Sequence, residues 1–168
     1  LAQAGAIIVG IIDKAGGLIN THGFKFQEIK SLLENRSSNF LEAKNLLSFE
    51  EVNNKIWDIG AEIFIPAAAS RLLSQKQLDR MIENGLEVIS SGANVPFADK
   101  EIFFGPISSK ADKNISVLPD FISNCGMARA FSYLMNVENQ INDTAIIKAV
   151  SETIKNAILE IYTKTKEK

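Results

Sequence analysis

Small and polar side chains follow three apolar segments of this chain, and their types suit the binding of a flat organic molecule. A small side chain lets a ligand approach the backbone, and an Asn amide offers a donor and an acceptor to another amide or to a ribose. Open parallel sheets bind ligands beyond the carboxyl ends of their strands, so we expect these residues to line one cofactor crevice. They are Pro66, Ala67 and Ala68 after the first segment, Gly92, Ala93 and Asn94 after the second, and Asn124 after the third.

Asp13 follows an earlier apolar run, residues 6–12, and has two interpretations. In a dinucleotide-binding fold, an acidic residue at the end of this strand accepts hydrogen bonds from the adenosine ribose hydroxyls. The alternative is an Asp that forms a local turn before Gly16 and Gly17. A carboxylate also disfavours a 2′-phosphate, which favours NAD over NADP, although the neighbouring Lys14 could pair with a phosphate.

The other candidate residues have structural alternatives as well. Pro66 suits the first turn of a helix, and Asn94 is a common turn residue. Asn124 falls in a predicted helix, where a buried Asn bonded to the backbone is the alternative. His22 is expected in a loop, and Cys125 is expected to be a packed small residue without a catalytic part.

Length and composition exclude several classes of protein. The 168 residues suit one domain, 1–168, and the net charge of -2 gives no electrostatic case for nucleic acid or an anionic membrane. No apolar run approaches the ~18 residues of a spanning helix, and residues 1–12 lack the features of a signal peptide. One Cys cannot form an internal disulfide, which favours the cytoplasm, and one His with one Cys excludes a structural zinc site, so no metal is expected.

The apolar periodicity predicts strands alternating with helices. This order is typical of an α/β fold with a doubly wound, Rossmann-like and mostly parallel sheet. The predicted strands are residues 6–12, 63–65, 86–89 and 115–118. Helices are predicted at residues 25–35 and 119–135, and an amphipathic C-terminal helix at 142–168. A short helix capped by Ser48 and Glu51 is predicted to end near Ile56. Another helix contains Leu78, Met81 and Ile82 and is predicted to end at Gly85.

The glycine turn G-x-G-x-x-G that a Rossmann unit needs before its Asp-bearing strand is absent from this sequence. Residues 1–5 are predicted to be the last turn of the helix that should follow that glycine turn. The predicted sheet therefore lacks its first strand and its pyrophosphate site, as in a domain that is partial at its N-terminus. A sheet that never bound a dinucleotide is the alternative.

Four segments resemble the C-terminal cofactor domain of the glutamate/leucine/phenylalanine/valine dehydrogenase family. Their order and spacing agree with the family over about residues 5–135. The first, residues 5–17, resembles its second strand and turn. The others are E-I-F-I-P-A-A at 62–68, S-G-A-N-V-P at 91–96 and L-P-D-F-I-S-N-C-G at 118–126, which resemble the family segments D-I-L-x-P-A-A, E-G-A-N-x-P and P-D-x-x-x-N-x-G-G.

The resemblance implies oxidative deamination of an L-amino acid to its 2-oxo acid, with hydride transfer to NAD or NADP. Asp13 would contact the adenosine ribose, residues 66–68 would lie along the cofactor, and residues 92–94 would flank the nicotinamide ribose. The substrate edge would contain Asn124, Ala128, Phe131 and Ser132. The catalytic lysine and aspartate of the family belong to an N-terminal substrate domain that is not in this chain. We therefore expect no catalytic residue in the chain, no activity from it alone, and a homo-oligomer at full length.

Three departures from the family pattern leave alternatives open. Met127 replaces the second Gly of the family's G-G pair, and Ser91 replaces an acid. Phe131 stands where glutamate-specific members carry a substrate-binding Ser, with Ser132 one residue later. The substrate could accordingly be glutamate or an apolar amino acid. A non-catalytic Rossmann-type module that binds a nucleotide or a partner remains the alternative function.

Overall fold

A computed structural model describes residues 1–38, 40–102 and 104–166. Its residues divide into two units, each with its own three-stranded sheet. The first unit is formed by Leu1–Glu62 and Lys76–Leu86, and the second by Ile63–Gln75 and Glu87–Lys168.

The sheet of the first unit is antiparallel, which corrects the sequence-based expectation. Strands β1 (Gly10–Asp13), β2 (Gly16–Ile19) and β3 (Leu47–Ser48) lie in the order β1-β2-β3. Gly10 pairs with Ile19 and Asp13 with Gly16, so β1 and β2 form a hairpin. The prediction that residues 6–12 form a strand of a parallel sheet was wrong.

The hairpin forms because Asp13 and Gly17 allow the chain to reverse within two residues. The Asp13 carboxylate accepts hydrogen bonds from the backbone N–H groups of Ala15 at 2.8 Å and Gly16 at 3.2 Å. At Gly17 an added Cβ would lie 2.5 Å from the carbonyl oxygen of Ile11, so glycine is required for the close pairing of the strands. Gly16 and Gly17, which we expected in the turn, belong to β2.

The helices of the first unit agree with the sequence periodicity. A 3₁₀ turn at Ala2–Ala4 ends at Gly5, whose φ of 91° is left-handed. Helix α1 spans Phe26–Glu34, α2 spans Phe49–Lys55 and continues into a 3₁₀ turn at Ile56–Asp58, and α3 spans Gln75–Glu83. The buried apolar residues of this unit are Leu18, Leu41, Val52, Ile56, Trp57, Leu78, Met81 and Leu86.

The predicted capping box at the start of α2 is present. The Glu51 backbone N–H donates to the Ser48 hydroxyl oxygen at 3.3 Å, and the Ser48 backbone N–H donates to Glu51 Oε2 at 3.0 Å. The Ser48 hydroxyl also donates to Glu51 Oε2, at 2.8 Å. These two Ser48 donors, the hydroxyl first, hold the pKa of the Glu51 carboxyl below its ordinary value.

The end of α2 is held by an ion pair with α3. Arg80 donates from Nε to Asp58 Oδ1 at 2.8 Å and from Nη2 to Asp58 Oδ2 at 2.5 Å. The second nitrogen also donates to the carbonyl oxygen of Asn54, at 2.7 Å. The hydrogen bond from Arg80 lowers the pKa of the Asp58 carboxyl, and the same bond raises the pKa of the Arg80 guanidinium.

The sheet of the second unit is parallel, as the sequence predicts. Strands β4 (Ile63–Phe64), β5 (Val88–Ser90) and β6 (Ser116–Leu118) lie in the order β4-β5-β6. Ile89 pairs with Phe64 on one side and Val117 on the other, and its side chain is fully buried. Helix α4 (Pro106–Asn114) connects β5 to β6. The other buried apolar residues of this unit are Leu73, Ala93, Phe97 and Ala111.

The single helix predicted for residues 119–135 is two helices in the structure. Helix α5 spans Asp120–Ser123 and α6 spans Gly126–Leu134. Asn124 ends α5 with φ −107° and ψ 8°, outside the helical region, and its side chain bonds elsewhere in the unit. Asn has a low intrinsic helix propensity, which fits its position between the two helices.

The C-terminal helix α7 spans Asp143–Lys166 and packs against α5 and α6. Asn142 caps it, because the Asn142 side-chain oxygen accepts a hydrogen bond from the Ala145 N–H at 2.9 Å. Only some residues of its predicted apolar stripe are half-buried. Val150, Ile154, Ala157 and Ile158 are half-buried, whereas Ile147 and Ile161 are 64% and 42% exposed. Residues 167 and 168 of the predicted helix lie outside the described residues.

The α/β class with a parallel sheet and helices is confirmed, and the doubly wound arrangement stays a prediction. No helix within residues 1–38, 40–102 and 104–166 is long and apolar enough to cross a membrane. The same described ranges contain no group of three or more His, Cys, Asp or Glu side chains that could hold a metal ion.

Replacing Ser48 by Ala should destabilise the first unit by about 1 kcal/mol, because the first turn of α2 loses its cap. The lowered pKa of Glu51 means that its share of the stability is present above about pH 4.5, the ordinary pKa of a Glu carboxyl, and is lost as the pH falls through the lowered pKa. The free energies of unfolding of the wild type and the variant, measured in urea, should therefore differ less at acidic pH. Glu50→Gln, in the same turn, is the control. A difference independent of pH would contradict the role of Glu51.

Candidate functional site

The segments that follow β4, β5 and β6 meet at the carboxyl edge of the parallel sheet. The Ala93 backbone N–H donates to the carbonyl oxygen of Pro66 at 2.8 Å, which joins the segments after β4 and β5. The Ser123 hydroxyl donates to the carbonyl oxygen of Ser91 at 2.7 Å, which joins those after β5 and β6. The three segments therefore meet at one edge, and the cofactor crevice there stays a prediction.

Two of the predicted site residues, Asn94 and Asn124, are bonded to each other across this edge. Asn124 Nδ2 donates to Asn94 Oδ1 at 2.7 Å, and both side chains are exposed. Within the part of the chain that the structure describes, no other residue bonds to the Asn94 side-chain amino group or to the Asn124 side-chain oxygen. The pair consequently presents three amide N–H donors at the surface, two on Asn94 and one on Asn124, together with the side-chain oxygen of Asn124 as an acceptor.

Gly92 lies against the segment after β4 so closely that only glycine fits without movement. A Cβ on Gly92 would lie 3.0 Å from the Ala67 Cβ and 3.5 Å from the carbonyl oxygen of Pro66. Ala67 and Ala68 are exposed, and Ala93 is buried. The small residues thus have two separate effects: Gly92 permits close packing, and the two alanines leave the backbone open to a ligand.

The residue after Asn94 has a strained backbone that a carboxylate holds in place. Val95 has φ 44°, in the left-handed region that a β-branched residue rarely adopts. Its backbone N–H donates to Asp120 Oδ2 at 2.7 Å, and Asp120 Oδ1 accepts the N–H of Phe121 at 2.8 Å. Asp120 therefore fixes the backbone next to Asn94.

The remaining predicted residues of the second unit lie on one exposed face of α6. Ala128, Phe131 and Ser132 have the helical spacing i, i+3, i+4, and all three are exposed. Phe131 is 60% exposed, and Phe121 and Met127 nearby in the sequence are 67% and 69% exposed. Residues 121–131 thus expose three large apolar side chains.

Asp13 belongs to the first unit and is held by backbone donors on both oxygens. Besides the two bonds to Oδ1 in the hairpin turn, Oδ2 accepts the N–H of Leu41 at 2.6 Å. The turn interpretation of this residue is therefore correct as a description of its contacts. A carboxylate has about four lone-pair sites, so one acceptor site remains for a ligand.

Sequence reasoning missed the residues that hold the site together. Asp120 falls within the predicted helix 119–135, and the sequence pattern assigns it no role in the site. Arg71, whose φ of 59° is left-handed, donates from Nη1 to the carbonyl oxygens of Asp99 and Lys100, the latter at 3.0 Å. Its backbone N–H donates to the carbonyl oxygen of Val95 at 2.8 Å. One indication of a role for Asp120 was present in the sequence, because Asp120 lies in the same P-D-x-x-x-N segment as Asn124.

The whole chain, residues 1–168, matches the family model described as Glutamate/Leucine/Phenylalanine/Valine dehydrogenase. The chain belongs to this family. The resemblance that was carried by four short segments thus extends over the full sequence.

Curated relatives of this dehydrogenase-family chain are glutamate dehydrogenases. One from Aeropyrum pernix is 27% identical over 133 residues, which are 75% of this chain and 28% of that protein. An NADP-specific glutamate dehydrogenase from a Psychrobacter species is 23% identical over 165 residues, 94% of this chain and 35% of that protein. The chain thus spans about a third of the length of these relatives.

Solved structures show the same fold at low identity. Glutamate dehydrogenase 2 of Plasmodium falciparum superposes with a TM-score of 0.68 at 19% identity, covering 90% of this chain and 34% of that one. A second glutamate dehydrogenase from the same organism gives a TM-score of 0.66 at 16% identity, covering 92% of this chain and 34% of that one.

We expect Asp120→Ala to destabilise the second unit by about 1–2 kcal/mol, because the part-buried N–H of Val95 loses its acceptor. Hydrogen exchange followed by NMR should show faster exchange at the Val95 amide. The control is Asp112→Ala, on the exposed surface of α4. Equal protection of the Val95 amide in the wild type and the Asp120 variant would show that this bond does not hold the turn.

Proposed function

We propose that this chain is the cofactor-binding domain of an amino-acid dehydrogenase of the glutamate type, spanning residues 1–168. In this proposal the carboxyl edge of β4, β5 and β6 binds the nicotinamide half of NAD or NADP. The observation that carries the proposal is the bonded pair of exposed amides, Asn94 and Asn124, at that edge.

The amide pair has the chemistry that a nicotinamide riboside requires. The carboxamide of nicotinamide and the ribose hydroxyls both donate and accept hydrogen bonds, and the pair still offers donors on Asn94 and an acceptor on Asn124. The bond between the two side chains fixes their orientation, which lowers the entropic cost of binding. Pro66, Ala67, Ala68, Gly92 and Ala93 would leave room for a flat ring beside them.

Exposed apolar side chains support the same assignment. Phe121, Met127 and Phe131 are each more than half exposed. A ring or an apolar substrate side chain would bury part of this surface, at about 25 cal/mol per Å² of apolar area removed from water. Ala128, Phe131 and Ser132 on α6 would then border the substrate.

The cofactor, when bound, supplies the hydride acceptor for the α-carbon of the amino acid. The residues of this chain would bind and orient it. Asn124 would hold the reacting edge of the nicotinamide, and Asp13 would accept hydrogen bonds from the adenosine ribose hydroxyls. The catalytic lysine and aspartate that the family resemblance implies would come from a separate substrate domain, so this chain by itself would bind dinucleotide without turnover.

Assembly and substrate follow from the same proposal. The protein that contains this chain would act on an L-amino acid and release the 2-oxo acid, and it would be a homo-oligomer. The matched relatives are named glutamate dehydrogenases, which supports an enzyme over a non-catalytic binding module.

For the cofactor we favour NAD over NADP. Asp13 would repel a 2′-phosphate, and the neighbouring Lys14 is engaged elsewhere, with its ammonium 4.5 Å from the centroid of the Phe40 ring. A relative from Saccharolobus shibatae is nevertheless named NADP-specific, so the preference requires a direct measurement.

The role of Asn124 is tested by titrating NAD and NADP into the chain with isothermal titration calorimetry. Asn124→Ala should weaken binding about tenfold, because it removes the polar contact and also frees the Asn94 side chain. Asn114→Ala, an exposed amide on α4 that bonds to the carbonyl oxygen of Lys110, is the matched control. In the longer protein that contains the chain, amino-acid-dependent NAD(P) reduction should fall in parallel. Unchanged affinity and turnover would remove Asn124 from the site.

The role of Asp13 is tested by the ratio of the NADP and NAD dissociation constants. Asp13→Asn should lower this ratio about tenfold, since it removes the carboxylate that repels the 2′-phosphate. Lys14→Ala, which changes the neighbouring charge, should leave the ratio nearly unchanged if Lys14 stays on Phe40. A large change in the Lys14 variant alone would show that the lysine, and not the aspartate, selects the cofactor.

A further inference from the structure

An asparagine followed by a glycine, Asn84 and Gly85, stands at the end of helix α3. Both residues are exposed. Gly85 has φ 94°, and a Cβ added to it would meet no atom of the described residues within 4 Å apart from its chain neighbours. Because glycine has no side chain, its backbone nitrogen can approach the carboxamide of the preceding asparagine without obstruction. The two residues therefore have the composition and the exposure of a site of spontaneous covalent modification.

The modification is deamidation, the loss of the side-chain amino group of Asn84. The Gly85 backbone nitrogen gives up its proton to water or hydroxide and forms a bond to the Asn84 Cγ. The bond from Cγ to the side-chain nitrogen breaks, ammonia leaves, and a cyclic succinimide remains. A water molecule then opens the ring at either of its carbonyl carbons, which gives aspartate or isoaspartate. The reaction transfers no electrons to another molecule, so it needs only water.

The backbone nitrogen that would attack is hydrogen-bonded in the folded turn. The Gly85 N–H donates to the carbonyl oxygen of Ile82 at 3.1 Å, and the Leu86 N–H donates to that of Met81 at 2.9 Å. These two bonds are those of a Schellman motif, which ends many helices at a left-handed glycine. Leu86 and Met81 are 4% and 7% exposed, so buried side chains flank the motif. The Gly85 nitrogen is released from its bond only when the turn opens.

The Asn84 side chain is held in the same turn by Arg80. Asn84 Nδ2 donates to the carbonyl oxygen of Arg80 at 2.8 Å, and the Asn84 backbone N–H donates to the same oxygen at 3.1 Å. The Arg80 guanidinium is itself bonded to Asp58 and to the carbonyl oxygen of Asn54. These bonds connect the last turn of α3 to the end of α2. Loss of the Asp58 carboxylate should therefore make the turn easier to open.

We propose that Asn84 is a deamidation site whose rate is set by the opening of the last turn of α3. Helix ends open at a lower free energy than core segments, so the native protein visits the reactive form. The product has a carboxylate at the helix C-terminus, where negative charge is unfavourable, and this carboxylate has no N–H to donate to Arg80. Deamidation should therefore weaken the turn that protected the amide. The site lies in the first unit and involves no residue of the proposed cofactor site.

The test incubates the purified protein at mildly alkaline pH, in native buffer and in guanidinium chloride, and follows each asparagine by peptide mass spectrometry. We expect the Asn84 peptide to gain one mass unit, about tenfold more slowly in native buffer, because the folded turn is the protected form. Asn114 is the internal control. It is exposed at the end of α4 and donates from Nδ2 to the carbonyl oxygen of Lys110 at 2.7 Å. Because it precedes Ile115 and not a glycine, it should stay unmodified in both solutions.

The same incubations give the results that would overturn the proposal. One is an Asn84 peptide that gains no mass in the denatured protein, and another is an equal rate in the two solutions. A third is a native protein that stays unmodified for about a hundred times the half-life in guanidinium chloride, since a helix end should open more often than that.

Variants test the structural control of the rate. Asp58→Ala should speed the reaction of the native protein about threefold, because the ion pair with Arg80 contributes modestly to holding the turn closed. Glu152→Ala, which removes an exposed ion pair with Lys148 in α7, is the matched control and should leave the rate unchanged. A rate that Asp58→Ala does not alter would refute the part played by the connection to α2.

Asn84→Asp reproduces one product of the reaction. It should lower the melting temperature by about 2 °C, because a carboxylate at the end of α3 opposes the helix dipole. Asn84→Gln keeps the amide and should change the melting temperature less, while its peptide should gain no mass. Equal melting temperatures of Asn84→Asp and the wild type would refute the weakening of the turn. None of these measurements requires a dinucleotide, so their failure would leave the proposed cofactor site untouched, and the reverse also holds.

Discussion

The hydrogen bond from the Val95 N–H to Asp120 is the interaction on which the candidate site depends. It keeps a β-branched residue at φ 44°, a conformation that costs about 1–3 kcal/mol unless its surroundings enforce it. Because the backbone of Val95 is fixed, the side chain of the preceding Asn94 is held where its oxygen can accept a hydrogen bond from Asn124. The strain in one residue is therefore balanced by a carboxylate 25 residues later in the chain.

The parallel sheet alone would bring the three strand ends to one edge but would leave their side chains unoriented. Orientation comes from bonds between the ends: Ala93 to Pro66, Ser123 to Ser91, and Asn124 to Asn94. Each joins segments that are far apart in sequence, so the geometry is complete only when all three strands are paired. A binding edge assembled in this way is preorganised, and a ligand would find its amide partners already in position.

Local sequence signals predicted the elements whose cause is local. The capping box at Ser48 and the helix end at Gly85 depend on neighbours within a few residues, and the apolar runs that become the parallel strands are visible in the sequence. The antiparallel hairpin at Asp13 was not predicted, although a local turn there was one of the two interpretations, because an apolar run such as residues 6–12 fits a strand of either kind of sheet. The break at Asn124 was not predicted because the side chain of Asn124 bonds to Asn94, 30 residues away in the chain. The site residues were predicted by type and motif, while Asp120 and Arg71, which hold them, act through long-range bonds that no spacing encodes.

The close approach of Gly92 to Ala67 has a consequence for how this sequence can change over time. A side chain at position 92 would press on the Ala67 Cβ from 3.0 Å, and that atom belongs to a backbone pinned at Pro66. An alanine at position 92 would therefore require the segment after β4 to shift by a few tenths of an ångström, since the Ala67 Cβ has no rotatable bond by which it could move aside.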